Sequence, residues 1–180
     1  VIALIGALSD LGANPARAQE PVQGIIAEPD PVVFTVMAAI NAAGYDEGID
    51  RMDPTSVRAQ VRKEIAGRTM PALPALREFY QAHRLADPGR DLSQYVSLAL
   101  MLGSPPKFEL TLSPANLPPD AIELQEMVPL IAAFYEQADI PALWNKYAPA
   151  MDQEAERYQR LLTRVIQETN GFLRLDTQGY

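Results

Sequence analysis

After Pro31 the apolar positions Val33, Val36/Met37, Ile40 and Ala43 recur every three or four residues, and Val32, Phe34 and Ala38-Ala39 make the segment apolar nearly all round. That pattern predicts a helix enclosed at the centre of the fold. Asp53-Pro54 predicts a second helix start, because a carboxylate can cap the free amides and a proline at the first position has no amide to waste. Its stripe is Val57, Val61 and Ile65, with Arg58, Arg62, Lys63 and Glu64 facing away. Pro71 and Pro74 open a third helix with the stripe Leu76, Phe79/Tyr80 and His83. Asp91 reads as the cap of a fourth, which carries Tyr95, Leu98/Ala99 and Leu102 and stops at Gly103.

Residues 103–119 form a long proline-containing connection in which Phe108-Glu109-Leu110-Thr111-Leu112 alternates as a short half-buried strand does. Pro118-Pro119-Asp120 starts a fifth helix with the stripe Leu124, Val128, Ile131 and Tyr135, which Pro129 should kink. A sixth helical region follows Asp139 and holds Trp144 and Tyr147. Pro149 divides it from a last helix carrying Met151, Tyr158, Leu162, Val165 and Ile166, with Asn170-Gly171 as the stop and Phe172, Leu173 and Leu175 as the start of a strand. The stripes show no fixed period, so no repeat array is expected. The expected fold is all-α or predominantly α, a single domain over 31–170 with six to seven helices and one short β-element. An exposed lead-in, 19–30, precedes it, marked by Pro21 and Pro29 among Glu20, Glu28 and Asp30. Residues 171–180 read as the start of a downstream segment.

The first eighteen residues differ from the rest. The apolar run Val1–Leu8 leads to Ala16-Arg17-Ala18, an A-x-A triplet of the kind that follows the apolar region of a signal peptide. A buried N-terminal helix is the alternative reading. With a valine at residue 1 and a segment opening near Tyr180, both ends read as truncations, and the expected location is periplasmic or extracellular. The run is far shorter than the roughly 20 apolar residues that span a bilayer, so no stable membrane anchor is expected. Loss of residues 1–18 removes one acid, Asp10, and one base, Arg17, and leaves the net charge of −8 unchanged. Such a chain repels phosphate backbones and is not expected to bind nucleic acid. It has no cysteine, so neither disulfides nor thiolate chemistry is available.

Candidate chemistry is sparse. Zinc sites take three or four nitrogen, sulfur or carboxylate ligands, and the chain offers one histidine, His83, with Asp87 four residues on. At the end of an apolar stripe His83 reads as a packing or capping residue. It is also the only imidazole available to Ser56, Ser93, Ser97, Ser104 or Ser113, none of which sits in a G-x-S-x-G elbow. Asp176-Thr177-Gln178-Gly179 is similar to an aspartic-protease Asp-Thr-Gly loop, but the glutamine displaces the glycine that the turn requires. A carboxylate pair able to act as acid and base depends on a three-dimensional separation, so it stays open. The acids Asp152, Glu154 and Glu156 read as a solvated face. No glycine-rich phosphate loop is present. The aromatic groups Phe79-Tyr80, Phe134-Tyr135 and Trp144/Tyr147 read as core packing, with a binding groove as the alternative. No residue is therefore assigned as catalytic, cofactor-binding or metal-binding.

Asp30-Pro31-Val32-Val33-Phe34, Ala42-Ala43-Gly44-Tyr45-Asp46, Leu76-Arg77-Glu78-Phe79-Tyr80 and Leu92-Ser93-Gln94-Tyr95 resemble the N-terminal helical half of an uncharacterised family of exported bacterial proteins with zinc-metallopeptidase-like character. Leu117-Pro118-Pro119-Asp120, Phe134-Tyr135 and Leu143-Trp144 extend the resemblance over 29–175. It implies that a histidine-rich metal segment lies downstream, and it places no family ligand on any position of this sequence. The expected role is a non-catalytic helical N-terminal module partnered by a downstream domain of the same chain. The alternatives are a structural part of a zinc-dependent metallopeptidase and a free-standing periplasmic binding or scaffold protein.

One expectation joins export to ligand arithmetic. Purified from an exporting host, the mature chain should begin at Gln19 by mass spectrometry. Dialysed against zinc it should hold well under one equivalent, because carboxylates seldom build a zinc site alone. One equivalent of zinc lost in His83→Ala would refute this.

Overall fold

A computed structural model of the chain describes residues 2–3, 26–45 and 53–173. The expected cleavage site at Ala16–Ala18, the lead-in residues 19–25, Leu175 and the Asp176–Gly179 run lie outside the described residues. The fold is predominantly α. Among the described residues it has seven α-helices: α1 (Pro31–Ala43), α2 (Val57–Ala66), α3 (Leu73–His83), α4 (Pro88–Leu100), α5 (Pro119–Glu123), α6 (Val128–Gln137) and α7 (Ile140–Leu173). Two 3₁₀ turns, Pro114–Asn116 and Gln125–Met127, join them. None of the described helices is long and apolar enough to cross a membrane. The contacts divide into two compact units, Asp30–Pro149 and a second made of Val1–Pro29 with Ala150–Tyr180.

In the Asp30–Pro149 unit α1 is central and packs against α2, α3, α4 and α6. Its start follows from Asp30, an extended residue whose carboxylate accepts from the amides of Val32 and Val33 at 2.8 Å each, ahead of Pro31. Thr35 is buried on the same helix, and its hydroxyl donates to Pro31 O at 2.7 Å, so that hydroxyl is not left unpaired. Gly44 ends the helix at φ 120°, a conformation that strongly favours glycine, while its amide and that of Tyr45 return to Ile40 O. Around α1 the core is filled by Val61 and Ile65 of α2, Leu76 and Tyr80 of α3, Tyr95 and Leu98 of α4, and Ile131 and Phe134 of α6.

Several boundaries differ from expectation, each for a local reason. Asp53 does not cap α2: Pro54 and Thr55 fill a turn in which Asp53 O accepts from Ser56 N, and the Ser56 side chain caps Ala59 N. Asp91 does not cap α4, which begins one turn earlier at Pro88 with Asp87 accepting from Arg90 N at 2.8 Å. That helix ends at Leu100 rather than running to Gly103. Pro129 does not kink one long helix. It lies in the first turn of α6, after the 3₁₀ turn has already ended α5. Pro149 sits inside an unbroken α7, which also passes through Asn170-Gly171 and takes in Phe172 and Leu173 as helix rather than strand.

The 101–112 connection holds an isolated antiparallel bridge, Leu102 with Leu110, in place of a strand. Thr111 N donates to Met101 O at 2.9 Å and Gly103 N to Glu109 O at 2.8 Å. Phe108 adopts φ 52° within this loop and is fully buried. A bulky residue in the left-handed region costs about 1–2 kcal/mol. Its ring recovers this by packing edge-on against Tyr135 at 5.3 Å between centroids.

In the second unit Ile2–Ala3 (β1) pairs antiparallel with Ile26–Ala27 (β2). The amide of Ala27 donates to Gln159 Oε1 of α7 at 2.7 Å. Asp152, Glu154 and Glu156 are exposed, with Glu154 accepting from Arg157 at 2.9 Å.

Ala39 lies at the middle of α1 with no exposed surface, where neighbouring helices approach closely. Ala39→Leu should overpack this point and lower stability by roughly 1–3 kcal/mol in chemical denaturation. An unchanged midpoint would show that the core has slack around α1.

Candidate functional site

The most polar point of the Asp30–Pro149 unit is Asp91, buried on the inner side of the first turn of α4. Its Oδ1 accepts from Leu85 N at 2.9 Å and from Gln94 Nε2 at 3.0 Å, and its Oδ2 accepts from Tyr80 Oη at 3.0 Å. Gln94 Nε2 also donates to His83 O at 3.0 Å, so the group ties the end of α3, the 84–87 loop and the start of α4 together. Burial first, and then the Asp91 carboxylate, push the Tyr80 hydroxyl far above the usual phenol range. Burial and the same carboxylate do likewise to Tyr95. Both phenols therefore keep their protons, and Tyr80 stays a donor. Tyr95 Oη and Asn41 Oδ1 are buried without a protein partner. In the sequence Asp91 has the look of a helix cap, a role that Asp87 fills in the structure. Extending the stripe Tyr95, Leu98, Leu102 back by one turn places it on the buried face.

A second group straps α2 to the start of α7. Glu64 Oε1 accepts from Lys146 Nζ at 2.6 Å and from the Tyr147 hydroxyl. These two donors, Lys146 first, hold the Glu64 carboxyl below the usual carboxylate range against the opposing effect of burial. Tyr147 is raised, by burial and then by Glu64. No sequence signal joins residues this far apart in the chain. Arg68 adds a guanidinium bond to Ala138 O, and Gln137 Oε1 accepts from Ala72 N at 2.8 Å, so the open end of α6 is tied to the α2–α3 turn.

The residues singled out for chemistry are dispersed among structural tasks. His83 stacks on Phe79 at 4.0 Å between ring centroids, with Nδ1 2.8 Å from Phe79 O, whereas Asp87 caps α4. Ser56 caps α2, and Ser97 donates to Asp120 at 3.1 Å. Tyr80, Phe134 and Tyr147 are buried, and Trp144 packs edge-on against Phe34 at 5.4 Å. Among the described residues no group of three His, Cys, Asp or Glu side chains is placed to hold a metal ion.

Five of the nine exposed large apolar side chains among the described residues lie on α7. Met151, Tyr158, Leu162, Val165 and Phe172, with Ala155 and Thr169 in the intervening places, follow a strict alternation of four and three residues. Tyr158 is 54% exposed, Val165 49% and Phe172 86%. Leu161, 56% exposed, and Ile166 widen the stripe at its middle. The outward side carries Arg157, Arg160 and Arg164, of which Arg164 pairs with Glu168 at 2.8 Å. The sequence displayed most of these side chains, but only the unbroken helix through Pro149 and Gly171 puts them on one line.

No family model, no curated protein and no solved structure matches the chain.

The Glu64 strap should make stability depend on pH. A carboxyl lowered in the folded state contributes stability above its ordinary unfolded value, and that contribution is lost as pH falls through the folded value. Glu64→Gln should melt slightly below the wild type at neutral pH, on the order of a degree or two given its partial exposure. As the pH falls below the ordinary carboxylate range and through the lowered folded value, the two should converge. A gap that persists there would mean that packing, not charge, holds the strap.

Proposed function

We propose that this chain is a non-catalytic helical module of an exported protein, whose last helix offers an apolar stripe to another polypeptide. The single observation that carries the reading is the exposure of Tyr158, Leu161, Val165, Phe172 and Leu173 along α7, beside the half-buried Met151, Ala155, Leu162 and Ile166. Monomeric soluble proteins scatter their exposed apolar residues, and a contiguous rimmed patch marks an interaction surface. The polar groups of the Asp30–Pro149 unit support the same reading, because Asp91, Glu64 and Gln94 each hold one element to another and Ser56 caps its own helix. Export rests on the Val1–Ala18 pattern. The resemblance to the metallopeptidase-like family would make this module the front half of a zinc enzyme whose ligands all come from outside residues 29–175.

The test is a substitution that separates surface from core. Tyr158→Glu with Val165→Glu should leave stability at low protein concentration within about 0.5 kcal/mol of the wild type, as surface changes do. It should also sharply reduce binding of an apolar reporter dye. A large fall in melting temperature would make the stripe part of the chain's own packing and end the reading.

A further inference from the structure

We infer that the occupant of the α7 stripe is the same stripe of a second copy, in a parallel, in-register two-stranded coiled coil. This rests on the reading of the stripe as an interaction surface and names its partner.

The spacing decides what kind of surface fits. A straight α-helix drifts about 20° per heptad away from a strict seven-residue repeat, so such a stripe stays in contact only with another helix that supercoils around it. Over 151–172 the stripe keeps the seven-residue repeat through three heptads, a length of roughly 33 Å.

The flanking residues decide which helix. With Ala155, Leu162 and Thr169 at the first core position of each heptad and Met151, Tyr158, Val165 and Phe172 at the other, the residues beside the seam include Glu154, Leu161 and Glu168 on one side. Asp152, Gln159, Ile166 and Leu173 lie on the other. In a parallel pair each residue of the first set meets the residue five positions later in the other copy. Glu154 then faces Gln159, Leu161 faces Ile166, and Glu168 faces Leu173. The two exposed apolar flank residues are thus each other's partners, and no acid meets an acid. An antiparallel pairing that overlays the whole stripe brings Glu154 toward Glu168 of the other copy at both ends, which is unfavourable in a chain of net charge −8. Gln159 is already fixed beside the seam by the amide of Ala27. Three heptads are at the short end for a coiled coil, so a reversible dimer is expected.

The full 180-residue chain should show a sedimentation mass rising from one chain toward two between low- and high-micromolar concentration. Leu162→Glu should abolish that rise while leaving the helical signal and melting of the Asp30–Pro149 unit intact. Because the chain has no cysteine, an introduced thiol reads the geometry directly. Under mild oxidation Ala155→Cys, on the seam, should form a disulfide-linked dimer many-fold faster than Gln153→Cys, on the outer face. Equal rates would overturn the parallel seam. A mass of one chain at every concentration, with the stripe still binding the reporter dye, would overturn self-pairing but leave the interaction surface standing. If Leu162→Glu unfolds the whole chain, the stripe is core and both readings fall.

Discussion

Four helices can share one neighbour only if that neighbour is apolar on nearly every side and thin where they approach, and α1 meets both conditions. Ala38, Ala39 and Ala43 keep its girth small, while Val36 and Ile40 fill the space between α2, α3, α4 and α6. A helix so enclosed has little water to satisfy its ends. Asp30 takes two of the free amides at one end, and the Gly44 turn returns two amides to Ile40 at the other. Thr35 closes its hydroxyl back onto its own helix. With those terms met, the surrounding helices need only one apolar stripe each.

Side-chain ties between elements add to this packing. Asp91 gathers three donors from α3, α4 and the loop between them, and Glu64 gathers two from α7. Arg68 and Gln137 bind the α2–α3 turn to the end of α6. Each tie combines a charged or amide group with donors that keep their protons, as the raised phenols of Tyr80 and Tyr147 ensure. In a chain without cysteine these side-chain bonds tie together elements that no disulfide can join.

Much of the helical layout was legible because helix starts are local chemistry. Asp30-Pro31 announces α1, and the identical Asp87-Pro88 would have announced α4 had Asp91 not drawn attention to itself. At Asp53-Pro54 the same pair marks a turn, and the cap falls three residues later on Ser56. Prolines 129 and 149 look alike in the sequence but act differently. The first opens a helix after a 3₁₀ turn, while the second is absorbed inside α7 at the loss of one backbone bond. The partners of Glu64 lie more than eighty residues away, and those of Asp91, although close in sequence, meet it only once α3 packs beside α4, so neither set was legible. The stripe on α7 was legible in composition only, because its spacing counts as one line only once the helix is known to continue.

Trp144 is the only tryptophan in the chain, and it lies on the first part of α7 with its ring edge-on to Phe34 in the first turn of α1. Both rings are half-buried. The tryptophan fluorescence of the protein, excited apart from its seven tyrosines, therefore comes from one indole at one junction, and its colour and quenching describe the docking of the first part of α7 onto the central helix. The fold thus carries its own optical gauge, set where the helix that bears the stripe is anchored to the core.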